Sequence, residues 1–125
     1  MNDDLKYSCD HFWFRENADK TVTVGFTDFL MLRGQPECLN LPHAGETFQA
    51  NEVMGSLEMN KCTIDISLPF AAEILEVNPG LDGDLQLLVS GAMSDGWLLR
   101  VLPLNASEME TNLMTQEEYM QFIAP

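Results

Sequence analysis

The chain has 125 residues, of which six are basic and twenty acidic, giving a formal net charge of −14 at pH 7. So few cations exclude partners bound by neutralising phosphates, so neither nucleic acid nor an anionic membrane surface is expected. A hydrophobic content of 46% is too high for a disordered acidic tail, and a chain of this length supports one core, so residues 1–125 are expected to form a single domain.

The opening residues Met1-Asn2-Asp3-Asp4-Leu5 are acidic and lack the basic and apolar regions of a signal peptide. No apolar run approaches the ~20 residues that cross a bilayer. Cys9, Cys38 and Cys62 are odd in number and widely spaced, which offers neither a disulfide framework nor a CxxC pair. A reducing, cytoplasmic setting is expected.

From Lys6 to Val77 apolar residues recur mostly at every second position, the period of a half-buried strand. Strands are expected at Phe12 to Phe14 and Thr21 to Phe26, with Asn17-Ala18-Asp19-Lys20 as the turn between them. Thr27-Asp28 can cap a short helix over Phe29 to Leu32, stopped at Gly34 and Pro36. Leu39 to Pro42 reads as a short strand entering a turn at His43-Ala44-Gly45. Asn78-Pro79-Gly80 and Asp82-Gly83-Asp84 mark loops, Leu85 to Val89 is an apolar segment, and a strand follows at Trp97 to Leu102. Ser107-Glu108-Met109-Glu110 and Thr115-Gln116-Glu117-Glu118 both carry a capping-box pattern, so two short helices should close the chain.

Glu52 to Pro69 is the most informative stretch. Val53, Gly55, Leu57 and Met59 share one strand face; Cys62, Ile64, Ile66 and Leu68 share another. The parity switches at Asn60-Lys61, as a two-residue hairpin loop requires. Such a loop pairs Met59 with Cys62, Leu57 with Ile64, Gly55 with Ile66 and Val53 with Leu68 on one buried face. Asn60 suits the positive φ of a type I′ turn, which leaves Lys61 exposed at the tip. Lys6, Lys20 and Lys61 are the only lysines, so this one, held rigidly at Cα with a free side chain, is a candidate for covalent attachment. Glu58 and Asp65 fall on the outer face nearby.

These residues resemble a known family. Glu58-Met59-Asn60-Lys61-Cys62 is similar to the ExxK turn of lipoyl and biotinyl carriers, and Gly55 to Lys61 to the G-x-V-E-S-x-K segment of glycine cleavage H proteins. Lys6-Tyr7-Ser8-Cys9-Asp10-His11-Phe12-Trp13 resembles that family's K-Y-T-x-x-H-E-W opening, and Val24-Gly25-Phe26-Thr27-Asp28 its V-G-I-T-D. Leu41-Pro42 with Gly45, Glu73 to Asn78, Asp95-Gly96-Trp97-Leu98 and Glu117 to Phe122 match in order and spacing. A biotin carrier fits less well, because methionine does not flank Lys61 on both sides.

The resemblance implies a mainly β barrel-sandwich hybrid with a short internal helix and C-terminal helices. It implies lipoate on Lys61 and no catalysis by the chain itself. The lipoyl carrier would work as a monomer, moving an aminomethyl group between glycine decarboxylase, aminomethyltransferase and dihydrolipoyl dehydrogenase. A lipoate ligase or lipoyl transferase would install the arm. Glu58 and Asp65 become candidates for recognising the arm or the ligase, and Asp10 and Phe12 for cradling the arm. Phe12 departs from the pattern, since the family has Glu there and a phenyl ring cannot accept a proton or a hydrogen bond. Two alternatives follow: an H-like lipoate carrier serving another pathway, such as sulfur oxidation, or an unmodified interaction domain.

Cys9, Asp10 and His11 are adjacent, and strand geometry would send them to opposite faces, so a structural role is expected and no metal site. Trp13 and Trp97 are expected to fill core, and Cys62 to sit half-buried against Met59.

Overall fold

The computed structural model describes residues 5–124; the acidic opening segment, residues 1–4, lies outside the described residues. Among these residues nine strands form two antiparallel sheets. In chain order these are β1 (Leu5–Tyr7), β2 (Phe12–Glu16), β3 (Val22–Phe26), β4 (Pro36–Asn40), β5 (Thr47–Phe48), β6 (Gly55–Met59), β7 (Thr63–Ile66), β8 (Ala72–Val77) and β9 (Leu99–Pro103). The larger sheet has the order β1-β2-β3-β9-β8-β5, the smaller β4-β6-β7. Four α-helices accompany them among the described residues, α1 (Asp28–Met31), α2 (Gln86–Ser90), α3 (Ala106–Asn112) and α4 (Gln116–Ile123), with one 3-10 turn at Pro79–Leu81.

Inward residues of both sheets meet in one core that includes Phe12, Phe26, Leu57, Ile66, Ile74 and Val101. The larger sheet is covered on its outer face as well. There α4 lays Tyr119 on Leu5, Tyr7 and Trp13, with the Tyr7 and Tyr119 rings stacked at 4.6 Å. This is why Phe12, Trp13 and Phe14 are buried in succession, where a one-sided sheet would alternate. Trp13 fills that outer layer, and its Nε1 donates to the Ala92 carbonyl at 2.9 Å. Trp97 is only half-buried.

Thr27 caps α1, its Oγ1 accepting from Leu30 N, and Thr115 and Glu118 form a complete capping box on α4. The second expected box does not form. Helix α3 starts earlier, with Asn105 Oδ1 accepting from Glu108 N at 3.1 Å, while the Glu108 carboxylate accepts from Ala71 N at 3.0 Å. The apolar segment at Leu85 to Val89 is largely the short helix α2, and the strand expected from Trp97 begins at Leu99.

Candidate functional site

Strands β6 and β7 pair Gly55 with Ile66, Ser56 with Asp65, Leu57 with Ile64 and Glu58 with Thr63, the expected register. Met59 N donates to Cys62 O at 2.8 Å, and Lys61 stands exposed at the tip. The turn is not type I′, because neither Asn60 nor Lys61 has a positive φ. Its conformation is held from outside. Asn60 N donates to the Gln35 carbonyl at 3.0 Å, and Gln35 N donates back to Asn60 Oδ1 at 2.9 Å. Asn60 therefore extends the β4–β6 ladder past its last strand pair, Pro36 with Met59. Gly34 permits this approach, since a Cβ there would lie 2.9 Å from Asn60 Oδ1.

Two expectations for the hairpin fail at its ends. Val53 is 55% exposed, and Met54 is buried in its stead. Asn51 N bonds Leu68 O and Met54 N bonds Ile66 O, so three steps on one side span two on the other, and the extra residue reverses the parity. Cys62 is exposed, not half-buried, at the turn that leads into β7, the edge strand of its sheet.

The loop between β1 and β2 gathers Cys9, Asp10 and His11 on one side, where strand geometry would have separated them. It is a tight turn, with His11 N bonded to Ser8 O at 3.1 Å and His11 at φ 69°. These residues line a groove of about 480 Å³ with Leu30 and Val53, with Thr63, Ile64 and Asp65 of β7, and with Ser67 just beyond it. The groove lies along the strand that leaves Lys61. Its floor is partly apolar, and Asp10 and Asp65 supply carboxylates.

Phe12 takes no part in it. The side chain is fully buried with its ring 5.2 Å from that of Phe26, because its position in β2 faces the core. Glu58 is exposed on the outer face beside Cys38, where partial desolvation and then the Glu58 carboxylate hold the thiol above its ordinary pKa. Leu30 and Val53 were invisible as groove residues in the sequence, and so was the Gln35–Asn60 clasp. The larger groove elsewhere, about 680 Å³ and bordered by Arg15, Asp19, Trp97 and Arg100, is remote from Lys61 in the sheet order. Its Arg100 is engaged, with Nε 3.0 Å from Glu76 Oε1 and Nη1 3.9 Å from Asp19 Oδ2.

Among the described residues no cluster of three or more His, Cys, Asp or Glu could hold a metal ion, and no helix is long and apolar enough to cross a membrane.

Residues 5–125 match the family model for the glycine cleavage H-protein. The glycine cleavage system H protein of Shewanella frigidimarina is 36% identical over 121 residues, 96% of this chain and 93% of that protein. That of Bacteroides fragilis is 35% identical over 116 residues, 92% of this chain and 90% of its own length. The crystal structure of a glycine cleavage system H protein from Mycobacterium marinum superposes with a TM-score of 0.83 at 29% identity, covering 98% of both chains. These matches favour neither alternative raised by the sequence. The chain belongs to the glycine cleavage H-protein family, the lipoyl carriers of the glycine cleavage system, which have no catalytic activity of their own.

Proposed function

We propose that Lys61 bears the lipoyl group in amide linkage, and that the groove beside β7 is where the arm rests. The observation that carries this reading is an exposed lysine on a turn clasped from β4, with a part-apolar groove running from its own strand. The residues fit such a group. Leu30, Val53 and Ile64 offer apolar surface to a hydrocarbon arm, and Asp10 and Asp65 offer carboxylates to a cationic cargo at its end. When bound, the lipoyl dithiolane supplies the redox and carrier chemistry. The chain holds the attachment point still, shelters the arm and presents an acidic surface.

Phe12 no longer argues for a different cargo. The position is core, and the carboxylate of Asp10, two residues earlier, borders the groove. The partners that follow are glycine decarboxylase, aminomethyltransferase and dihydrolipoyl dehydrogenase, with a lipoate ligase or lipoyl transferase acting on Lys61 and Glu58 within its footprint. The setting is the cytoplasm, and residues 1–125 work as one domain.

Intact-mass measurement on protein from a lipoate-competent host tests the reading. The expected result is a lipoyl mass increase that maps to Lys61 and disappears in Lys61→Arg, together with glycine–bicarbonate exchange when glycine decarboxylase is added. An unmodified Lys61 in the presence of active ligase overturns it.

A further inference from the structure

The groove wall contains one group that the carrier reading leaves unused. His11 is half-buried among Phe29, Tyr119 and Phe122, with ring centroids 4.9, 5.8 and 6.0 Å away. Its Nδ1 is 2.9 Å from the Tyr119 hydroxyl, which is itself 2.8 Å from Thr27 Oγ1. Thr27 is 2% exposed, and its Oγ1 accepts from Leu30 N at 3.4 Å.

These contacts fix the direction of the protons. The buried Thr27 hydroxyl already accepts from a backbone N–H, so its own hydrogen needs an acceptor, and Tyr119 is the partner in reach. With Thr27 donating to Tyr119, the phenolic hydrogen is free to donate onward to His11 Nδ1. The reverse chain would leave the Thr27 hydrogen buried and unmatched, the costlier arrangement. A lone pair on Nδ1 places the imidazole proton on Nε2. Nε2 has no hydrogen-bond partner among the described residues, and it is not among the buried unsatisfied atoms, so solvent reaches it.

We propose that Tyr119 is a positioning residue for the groove: it holds His11 as the neutral tautomer protonated on Nε2, which offers the groove's occupant an uncharged hydrogen-bond donor. The chemical class recognised is a neutral acceptor on the arm, an amide carbonyl or a sulfur. Keeping His11 neutral has a second effect. The charged groups facing it are Asp10 on its own loop, Arg33 beyond α1 and, across the groove, Asp65. Arg33 is stacked on Phe29, its guanidinium carbon 4.0 Å from the ring centroid. A neutral imidazole adds no positive charge of its own beside the groove's two carboxylates. Burial favours the same neutral form.

This proposal rests on the groove being the arm's resting place, and its test separates the two claims. The experiment is ¹⁵N NMR of both histidines in the full chain, first unmodified and then lipoylated, with His43 as the exposed internal comparison. The expected result is a single His11 tautomer protonated on Nε2, converted to a tautomer mixture by Tyr119→Phe with no change at His43. Lipoylation should then shift the His11 Nε2 signal and leave His43 unmoved. Protonation on Nδ1, or indifference of His11 to Tyr119→Phe, overturns the proposal; if that variant does not fold, the tautomer in the unmutated chain decides. A chain lipoylated on Lys61 whose His11 signals stay unchanged overturns this proposal alone. A chain that takes no lipoyl group on Lys61 removes the resting-place reading and the proposal with it.

Discussion

Gly25 stands opposite Trp13 in the β2–β3 ladder, and the indole occupies the space a side chain would need: a Cβ on Gly25 would lie 2.6 Å from Trp13 Cε2 and Nε1. The ring cannot swing aside cheaply, because its Nε1 is bonded to the Ala92 carbonyl at 2.9 Å and both its faces are enclosed. Gly25→Ala is therefore expected to destabilise the fold by about 1–3 kcal/mol, the usual range for overpacking. Urea denaturation read by Trp fluorescence would measure it. A loss below a few tenths of a kcal/mol would show that the layer under α4 yields.

The clasp at the hairpin tip makes a different prediction. Asn60→Ala removes the Oδ1 that receives Gln35 N, and Gly34→Ala pushes a methyl group against the same oxygen. Each should cost about 1 kcal/mol of stability. The larger effect should fall on lipoyl attachment, as a raised KM for the ligase with Lys61 still competent. Attachment kinetics identical to the unmutated chain would count against a pinned tip.

Phe12→Glu distinguishes core from groove. Because Phe12 is fully buried against Phe26, the substitution leaves an unpaired carboxylate in the interior and should cost several kcal/mol. Asp10→Asn, on the exposed loop, should leave the melting temperature unchanged and weaken the protection of a cationic cargo on the arm. Circular dichroism and cargo-release rates measure the two effects. A stable, well-folded Phe12→Glu protein would contradict the packing.

Stability should also depend on pH through His11. Burial pushes its pKa below the ordinary 6.5; Asp10 acts in the opposite sense, and Arg33 adds a smaller push downward. Below 6.5 the unfolded chain binds a proton that the folded one resists, so stability is complete above that pH and falls as pH drops toward the folded value. Asp19, whose carboxyl is held below 3.8 chiefly by Thr21, contributes only in a more acidic range. Thermal unfolding between pH 7 and 5 should show the decline, and His11→Gln should flatten it.

Helix α4 holds Tyr119 against Tyr7 and His11, and its start depends on the Thr115–Glu118 box. Thr115→Ala should cost about 1 kcal/mol. Faster amide exchange confined first to α4 would be the local signature, while uniform loss across both sheets would argue for a global effect.

Much of this architecture is legible in the residues. The alternation on either side of Asn60-Lys61 specifies the pairing of Leu57 with Ile64 and Gly55 with Ile66, because a one-residue slip would turn every apolar side chain outward. Thr27 and Thr115 announce their helices through cap chemistry that is local in sequence. What escapes is set by distant partners. Asn60 adopts its conformation because Gln35 meets it across the sheet, and no positive φ is needed. Val53 turns out because of a bulge that begins at Asn51. Asp10 reaches the groove and Phe12 does not, since a left-handed residue at His11 breaks the strand that would have carried both.

The clasp between Gln35 and Asn60 finally bears on how far an attached arm can search. A tether rooted in a loose loop adds the loop's own excursions to its radius, and the volume explored grows as the cube of that radius. Local concentration at any one partner's pocket falls in proportion. An arm rooted on Lys61, at a tip tied to a neighbouring strand, would sweep a shell whose centre stays put, and enzymes docked around it would meet their cargo at the highest concentration its length permits.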